Sequence, residues 1–266
     1  MKSIIFSLSI ALFFLVSCKK NVAPEYNASA TGQLSVEFDN VAGNQDLQLN
    51  TGNYTNASGE AFKVTLLKYF VSNFTLTKTD GSVYSIPQDS CYFLIDESKP
   101  ASTIPVLRVP EGEYSKLTFM VGVDSLRNTL DISKRIGILD PAGAAAGMYW
   151  SWNSGYIFFK MEGTSPASTQ NGNIFQYHIG LFGGYTSTSP TLNNIKTITL
   201  DLTARGTAKI KATKSANIHL LVDVMKVFNG TPNVSIAQNS VVMVSPFSAT
   251  IANNYVNMFT HNHTEN

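Results

Sequence analysis

Cysteine is almost missing from this 266-residue sequence, where Cys18 and Cys91 are the only two. Cys18 ends a leader-like segment, so no disulfide within the folded body is expected and stability must come from the core. Charge is also scarce, at 14% of residues with 19 basic against 18 acidic side chains. That balance leaves no electrostatic footprint for nucleic acid and no polybasic surface for lipid headgroups. After the leader no apolar run approaches the roughly 20 residues that a membrane-crossing helix needs. Catalytic signatures are missing as well: there is no Gly-x-Ser-x-Gly elbow, no His-Glu-x-x-His helix and no Gly-x-x-x-x-Gly-Lys phosphate loop. Asp96 and Glu97 are sequence neighbours and would point to opposite faces of a strand. Asp124 stands alone, without the grouped oxygen donors of a calcium loop. With no complete catalytic set, the sequence reads as that of a non-enzymatic protein.

What is present begins with Met1-Lys2 and an apolar run over residues 4–16, the pattern of a secretory signal. The run closes on Leu15-Val16-Ser17-Cys18, which resembles a bacterial lipobox, in which the cut falls before a lipid-modified cysteine. Residues 1–17 then form a lipoprotein signal peptide and residues 18–31 a polar tether. The protein is expected to be exported to the periplasm or outer membrane and held at the membrane by acyl chains on Cys18. Ordinary secretion, with Cys18 a chance neighbour of the cut, is the alternative.

Residues 32–266 read as one domain. Period-two alternation recurs in Leu34, Val36 and Phe38, in Phe62, Val64 and Leu66, and in Leu117, Phe119, Val121 and Val123. Similar runs cover residues 174–181, 195–202 and 218–224, with Gly, Asn and Pro turn clusters between them. This predicts an all-β fold, an antiparallel β-sandwich of immunoglobulin-like or jelly-roll-like type. One short C-terminal helix is expected over residues 248–259, capped by Ser248 after Pro246.

Both tryptophans fall in Met148-Tyr-Trp-Ser-Trp-Asn-Ser-Gly-Tyr-Ile-Phe-Phe159. If extended, this stretch puts Met148, Trp150 and Trp152 on one face. Three uses follow: a buried sandwich core, an exposed indole pair that stacks on carbohydrate, or a soft-metal pocket that an imidazole would complete. Four histidines are available. His178 and His219 each lie alone in a strand-like run, and His219 reads as a structural residue. His261 and His263, separated by Asn262, would share a side of an extended tail and could chelate one ion. Cys91 reads as a buried small hydrophobe or a stray copper ligand.

Several segments in order resemble the methanobactin-associated periplasmic copper-binding, or MbnP-like, family and its Bacteroidetes-type lipoprotein members. They are Leu34-Ser-Val-Glu-Phe-Asp-Asn40, Lys63-Val-Thr-Leu-Leu-Lys-Tyr-Phe-Val-Ser-Asn73, Gly112-Glu-Tyr-Ser-Lys-Leu-Thr-Phe-Met-Val-Gly-Val-Asp124, Met148-Tyr-Trp-Ser-Trp152 with Glu162-Gly163, and Phe175-Gln-Tyr-His-Ile-Gly180. The resemblance implies an exported β-sandwich that binds copper, in some relatives through histidine together with a tryptophan oxidised to kynurenine. It further implies a di-haem partner of the cytochrome c peroxidase type. Carried over by position, Trp150 and Trp152 match the tryptophan motif and His178 the Tyr-His-Ile-Gly motif. The expected metal-site residues are therefore His178, Trp150, Trp152 and Met148, with His261 and His263 as a peripheral second site. A carbohydrate-binding or adhesive lipoprotein module using the tryptophan pair is the alternative function.

Overall fold

The computed structural model describes residues 26–266 apart from 28, 153–154 and 185–191. The predicted leader and Cys18 lie outside the described residues. Along the chain come the strands β1 (Thr31–Ala42), β2 (Gln45–Asp46), β3 (Tyr54–Thr55), β4 (Ala61–Lys78), β5 (Val83–Ser85), β6 (Tyr92–Asp96), β7 (Val106–Pro110) and β8 (Gly112–Val121). They continue with β9 (Tyr149–Trp150), β10 (Gly155–Tyr156), β11 (Phe159–Thr164), β12 (Ile174–Ile179), β13 (Lys196–Asp201), β14 (Ala208–Ile210), β15 (Ala216–Asp223), β16 (Val241–Val242) and β17 (Phe259–Glu265). Among the described residues three short α-helices interrupt them: α1 (Ser125–Thr129), α2 (Met225–Phe228) and α3 (Ser248–Tyr255). None of the described helices is long and apolar enough to cross a membrane.

Among the described residues the longer strands form two sheets. The first runs β17-β15-β1-β2 with β7 also on β1; the second runs β13-β8-β4-β11-β12-β16, with β14 on β8 and β3, β5 and β6 on β4. The sandwich is all-β, as the alternation predicts, but it is not wholly antiparallel. β1 lies parallel to β15, pairing Val36 with Ile218 and Phe38 with Leu220, and β12 lies parallel to β16. Parallel neighbours need a long crossover, and nothing in the alternation of either strand marks that pairing.

Every second side chain of β1 is buried, including Leu34, Val36 and Phe38; the same alternation runs through β15 and, with a one-residue slip between Tyr114 and Leu117, through β8. Between the sheets the aromatic rings meet edge to face. Phe38 of β1 and Phe259 of β17 approach Phe119 of β8 at centroid distances of 5.4 and 5.2 Å, an arrangement favoured by the ring quadrupoles.

The long strand β4 departs from alternation at Tyr69, Phe70, Val71 and Ser72, all of which are buried. Tyr69 faces inward towards Phe38, whereas Phe70 faces outward and is covered by Tyr156 at 5.6 Å. The chain between β8 and β11 therefore folds over the outer face of the second sheet, carrying α1 and the small hairpin β9–β10. That cover is what brings the tryptophan stretch to the strands bearing His178.

The C-terminal helix is where the sequence places it, but its ends differ. Phe247 occupies the N-cap position, and Ser248 instead accepts from Asn194 Nδ2 at 2.9 Å and donates to the Ser245 carbonyl at 2.7 Å. After a 3₁₀ turn over Val256–Met258 the chain enters β17, so the terminal histidines belong to a sheet and not to a tail.

Candidate functional site

Cross-strand pairing sets Lys160 of β11 opposite His178 of β12 and opposite Lys68 of β4, while Glu162 faces Gln176. These side chains share the outer face of the second sheet because residues two apart on a strand point the same way. Glu162 Oε1 lies 2.8 Å from His178 Nε2 and 3.4 Å from Lys160 Nζ. Lys160 Nζ also donates to the carbonyl oxygen of Gly147 at 3.1 Å, tying the segment that leads into β9 to the sheet beside His178. The neighbouring Lys68 reaches the buried carboxylate of Asp96 at 3.0 Å.

Trp150 meets the same strand one step further on. Its six-membered ring lies against the backbone of Gly180, where an added Cβ would come within 2.7 Å of Trp150 Cζ3 and 2.4 Å of the Tyr156 carbonyl oxygen. Only glycine leaves room for that approach. Gly180 follows His178 by two positions, so Trp150 packs against the chain just beyond the end of the strand that bears His178.

Burial pushes the His178 imidazole below the usual 6.5, an effect that the bond to Glu162 offsets only in part. The ring is thus held neutral, the form that offers a lone pair to a metal. Because Glu162 engages Nε2, the nitrogen left for a ligand is Nδ1.

The tryptophan stretch is not one extended strand. β9 ends at Trp150 and the chain turns at once, so Met148 is fully buried, Trp150 is buried and Trp152 is 66% exposed. The expectation of a single face holding all three side chains fails for this reason. The two indole centroids are 5.6 Å apart with planes tilted by 45°. With one ring buried, they do not make the flat exposed pair on which the carbohydrate alternative depended.

The terminal histidines correct the sequence reading in another way. Opposite β17, the register of β15 pairs His219 with His263 and then Leu220 with His261, leaving Asn262 as the extra residue of a β-bulge. A bulge changes which way following side chains point. His261 is buried beside the inward Leu220, with Nε2 2.9 Å from Thr264 Oγ1, while His263 is half-exposed on the outside. The two do not share a side, and they cannot chelate one ion as expected.

Cys91 is a free, fully buried thiol that donates to the Gln88 carbonyl at 3.1 Å. Burial raises its pKa, so it stays protonated and behaves as a small hydrophobe. Among the described residues, no group of three or more His, Cys, Asp or Glu side chains is arranged to hold a metal. A cleft of about 440 Å³ lined by Asp89, Arg127, Arg135 and Ile138 lies elsewhere and includes none of the predicted site residues.

Sequence reasoning missed Lys160, Glu162 and Gly180, which position His178 and Trp150. Glu162 and Gly180 stand inside the family-like segments, but only the strand register and the approach of Trp150 give them a role.

A family profile described as MbnP matches residues 31–245. Among solved structures, MbnP from Methylosinus trichosporium aligns with a TM-score of 0.53 at 18% identity, covering 82% of this chain and 82% of that chain. At that identity the likeness speaks for the fold. A search among curated proteins returns no match.

Proposed function

Because the chain belongs to the MbnP family, we propose that it is an exported protein of the cell envelope, anchored by lipid on Cys18, that binds copper and catalyses no reaction. The observation that supports this reading is the packing of Trp150 against Gly180, two residues beyond the buried His178. His178 is the imidazole donor, oriented by the carboxylate of Glu162 on its far nitrogen as metal-bound histidines commonly are. Trp150 forms the wall of the site and Trp152 its exposed rim.

These residues fit a soft ion in part: one neutral imidazole and two indoles suit copper better than a hard cation, but a second strong donor is needed. In this proposal a kynurenine formed from tryptophan supplies it: a di-haem partner of the cytochrome c peroxidase type uses two equivalents of hydrogen peroxide as oxidant to cleave the indole C2–C3 bond, giving two waters, and hydrolysis of the resulting N-formyl group releases C2 as formate. Trp152, at 66% exposure, is the ring that such a partner reaches first. Met148, fully buried, supports the hairpin instead of ligating. Bound copper would be a cargo or a stored ion, held for transfer.

Titration of the metal-free mature protein with Cu(I) and Cu(II) tests the reading. One tight copper equivalent present in the wild type and missing in His178→Ala supports it. Wild-type binding no tighter than that of free imidazole overturns it. Peptide mapping by mass spectrometry, after co-expression with a di-haem peroxidase, reports which indole is oxidised.

A further inference from the structure

We propose a second cation site, separate from His178, formed by His219 of β15 and His263 of β17 on the outer face of the first sheet. Their Nδ1 atoms are 3.3 Å apart, with ring centroids at 4.8 Å and planes at 83°. The outer nitrogens meet carboxylates: His219 Nε2 lies 3.2 Å from Asp39 Oδ2, and His263 Nε2 lies 3.4 Å from Glu265 Oε1.

The arrangement favours a cation. A neutral imidazole carries only one N–H, and in the tautomers whose Nε2–H groups donate to these carboxylates both Nδ1 lone pairs face each other. A positive ion between them relieves that opposition. A metal ion at an ordinary Zn–N or Cu–N distance of about 2.05 Å with a tetrahedral angle separates two nitrogens by about 3.3 Å, matching the spacing observed. Carboxylates on the far nitrogens are the outer partners that orient imidazole ligands and raise their basicity.

Further donors are close at hand. Asn262, the extra residue of the bulge, brings its amide to 3.2 Å from His219 Nδ1. Rotating that amide by half a turn places its oxygen where the nitrogen is assigned. Water completes the shell, since the His263 side chain is 45% exposed. Glu37, beside His219 in the register, adds negative charge. Arg205, which donates to the Asn262 carbonyl at 3.3 Å, is the opposing cation. Two imidazoles with an amide oxygen and water suit a borderline divalent transition-metal ion such as Zn²⁺ or Cu²⁺. His263 lies beyond residues 31–245 that match the family.

The test is titration of the full chain with Zn²⁺ against a chromophoric chelator, and with Cu²⁺ followed by electron paramagnetic resonance. One equivalent of Zn²⁺ is expected in the wild type, and with Cu²⁺ an equivalent showing nitrogen couplings that is additional to the one dependent on His178. The equivalent held by His219 and His263 should disappear in His219→Ala and in His263→Ala. It should persist in His261→Ala and in His178→Ala, which keeps the outcome distinct from that of the copper reading. Asp39→Asn, which leaves both rings in place, should weaken binding by about 10–100-fold while keeping the stoichiometry. Urea midpoints for each variant confirm folding. Retention of the equivalent in either His219→Ala or His263→Ala, or its equal loss in His261→Ala, overturns the proposal. So does an imidazole ¹⁵N spectrum in which the two rings share a proton and do not respond to excess Zn²⁺.

Discussion

Lys160 donates from Nζ to the carbonyl oxygen of Gly147 at 3.1 Å, fastening the approach to the tryptophan hairpin onto the strand opposite His178. The same ammonium lies 3.4 Å from Glu162, so one side chain holds both the cover and the carboxylate that orients the imidazole. Lys160→Met keeps the aliphatic stem but removes both contacts. The expected result is a loss of about 0.5–1.5 kcal/mol, together with a red-shifted tryptophan emission and stronger acrylamide quenching. Emission and quenching identical to wild type would show that the hairpin is held without this bond.

Gly180 makes a sharper test of the same cover. A methyl group there meets Trp150 Cζ3 at 2.7 Å and the Tyr156 carbonyl at 2.4 Å, and the carbonyl belongs to the backbone and cannot swing aside. Gly180→Ala should cost about 1–3 kcal/mol, in the range of overpacked cores. It should also alter the near-ultraviolet circular dichroism, because the buried indole must shift. A variant with wild-type dichroism and urea midpoint would contradict the close approach.

These residues also mark where the sequence was legible and where it was not. β1, β8 and β15 could be read from alternation because each buries one face and exposes the other. The run from Tyr69 to Ser72 obeys no period because Tyr156 covers Phe70 from outside, and that cover arrives from a distant segment. His178 was found through its motif, but its partners Glu162 and Lys160 came only with the pairing of β11 and β12. His219 reads as structural because its neighbours in sequence are apolar. Its contacts to His263 and Asp39 arise from an antiparallel register on one side and a parallel one on the other, and neither is written in a local pattern.

Glu97 provides a prediction in which removing a charge stabilises the fold. Burial first, and then the nearby Asp46, Asp39 and Asp96, push its carboxyl up to about 7, against the opposing bond from Asn40 Nδ2 to Glu97 Oε2 at 2.8 Å. A carboxyl raised on folding binds a proton more readily in the native state, so stability is lost as pH rises from about 4.5 through 7. Glu97→Gln keeps an oxygen for Asn40 and removes the charge. The variant should gain about 1 kcal/mol at pH 8, after discounting for solvent screening of a partly exposed group, and close to nothing at pH 5. A urea midpoint at pH 8 equal to or below that of the wild type would contradict the assignment.

The buried imidazoles of His178 and His261 should give the opposite slope. Burial lowers both below the usual 6.5; for His178 the Glu162 bond offsets part of this, and for His261 the backbone of His263 does the same. The unfolded chain then binds protons at a higher pH than the native one. The stabilisation is complete above about 6.5 and is lost as pH falls towards the native values. Glu97 titrates across the same window with the reverse sign, so the comparison belongs in a Glu97→Gln background. There the urea midpoint should drop between pH 7.5 and pH 5.5, and His178→Gln combined with His261→Gln should flatten that drop, since glutamine does not titrate. Carboxylates held low by their partners, such as Asp96 beside Ser98 and Lys68, stay ionised throughout this range and leave the slope to the histidines. An unchanged slope in the double variant would mean that neither ring is held neutral by the fold.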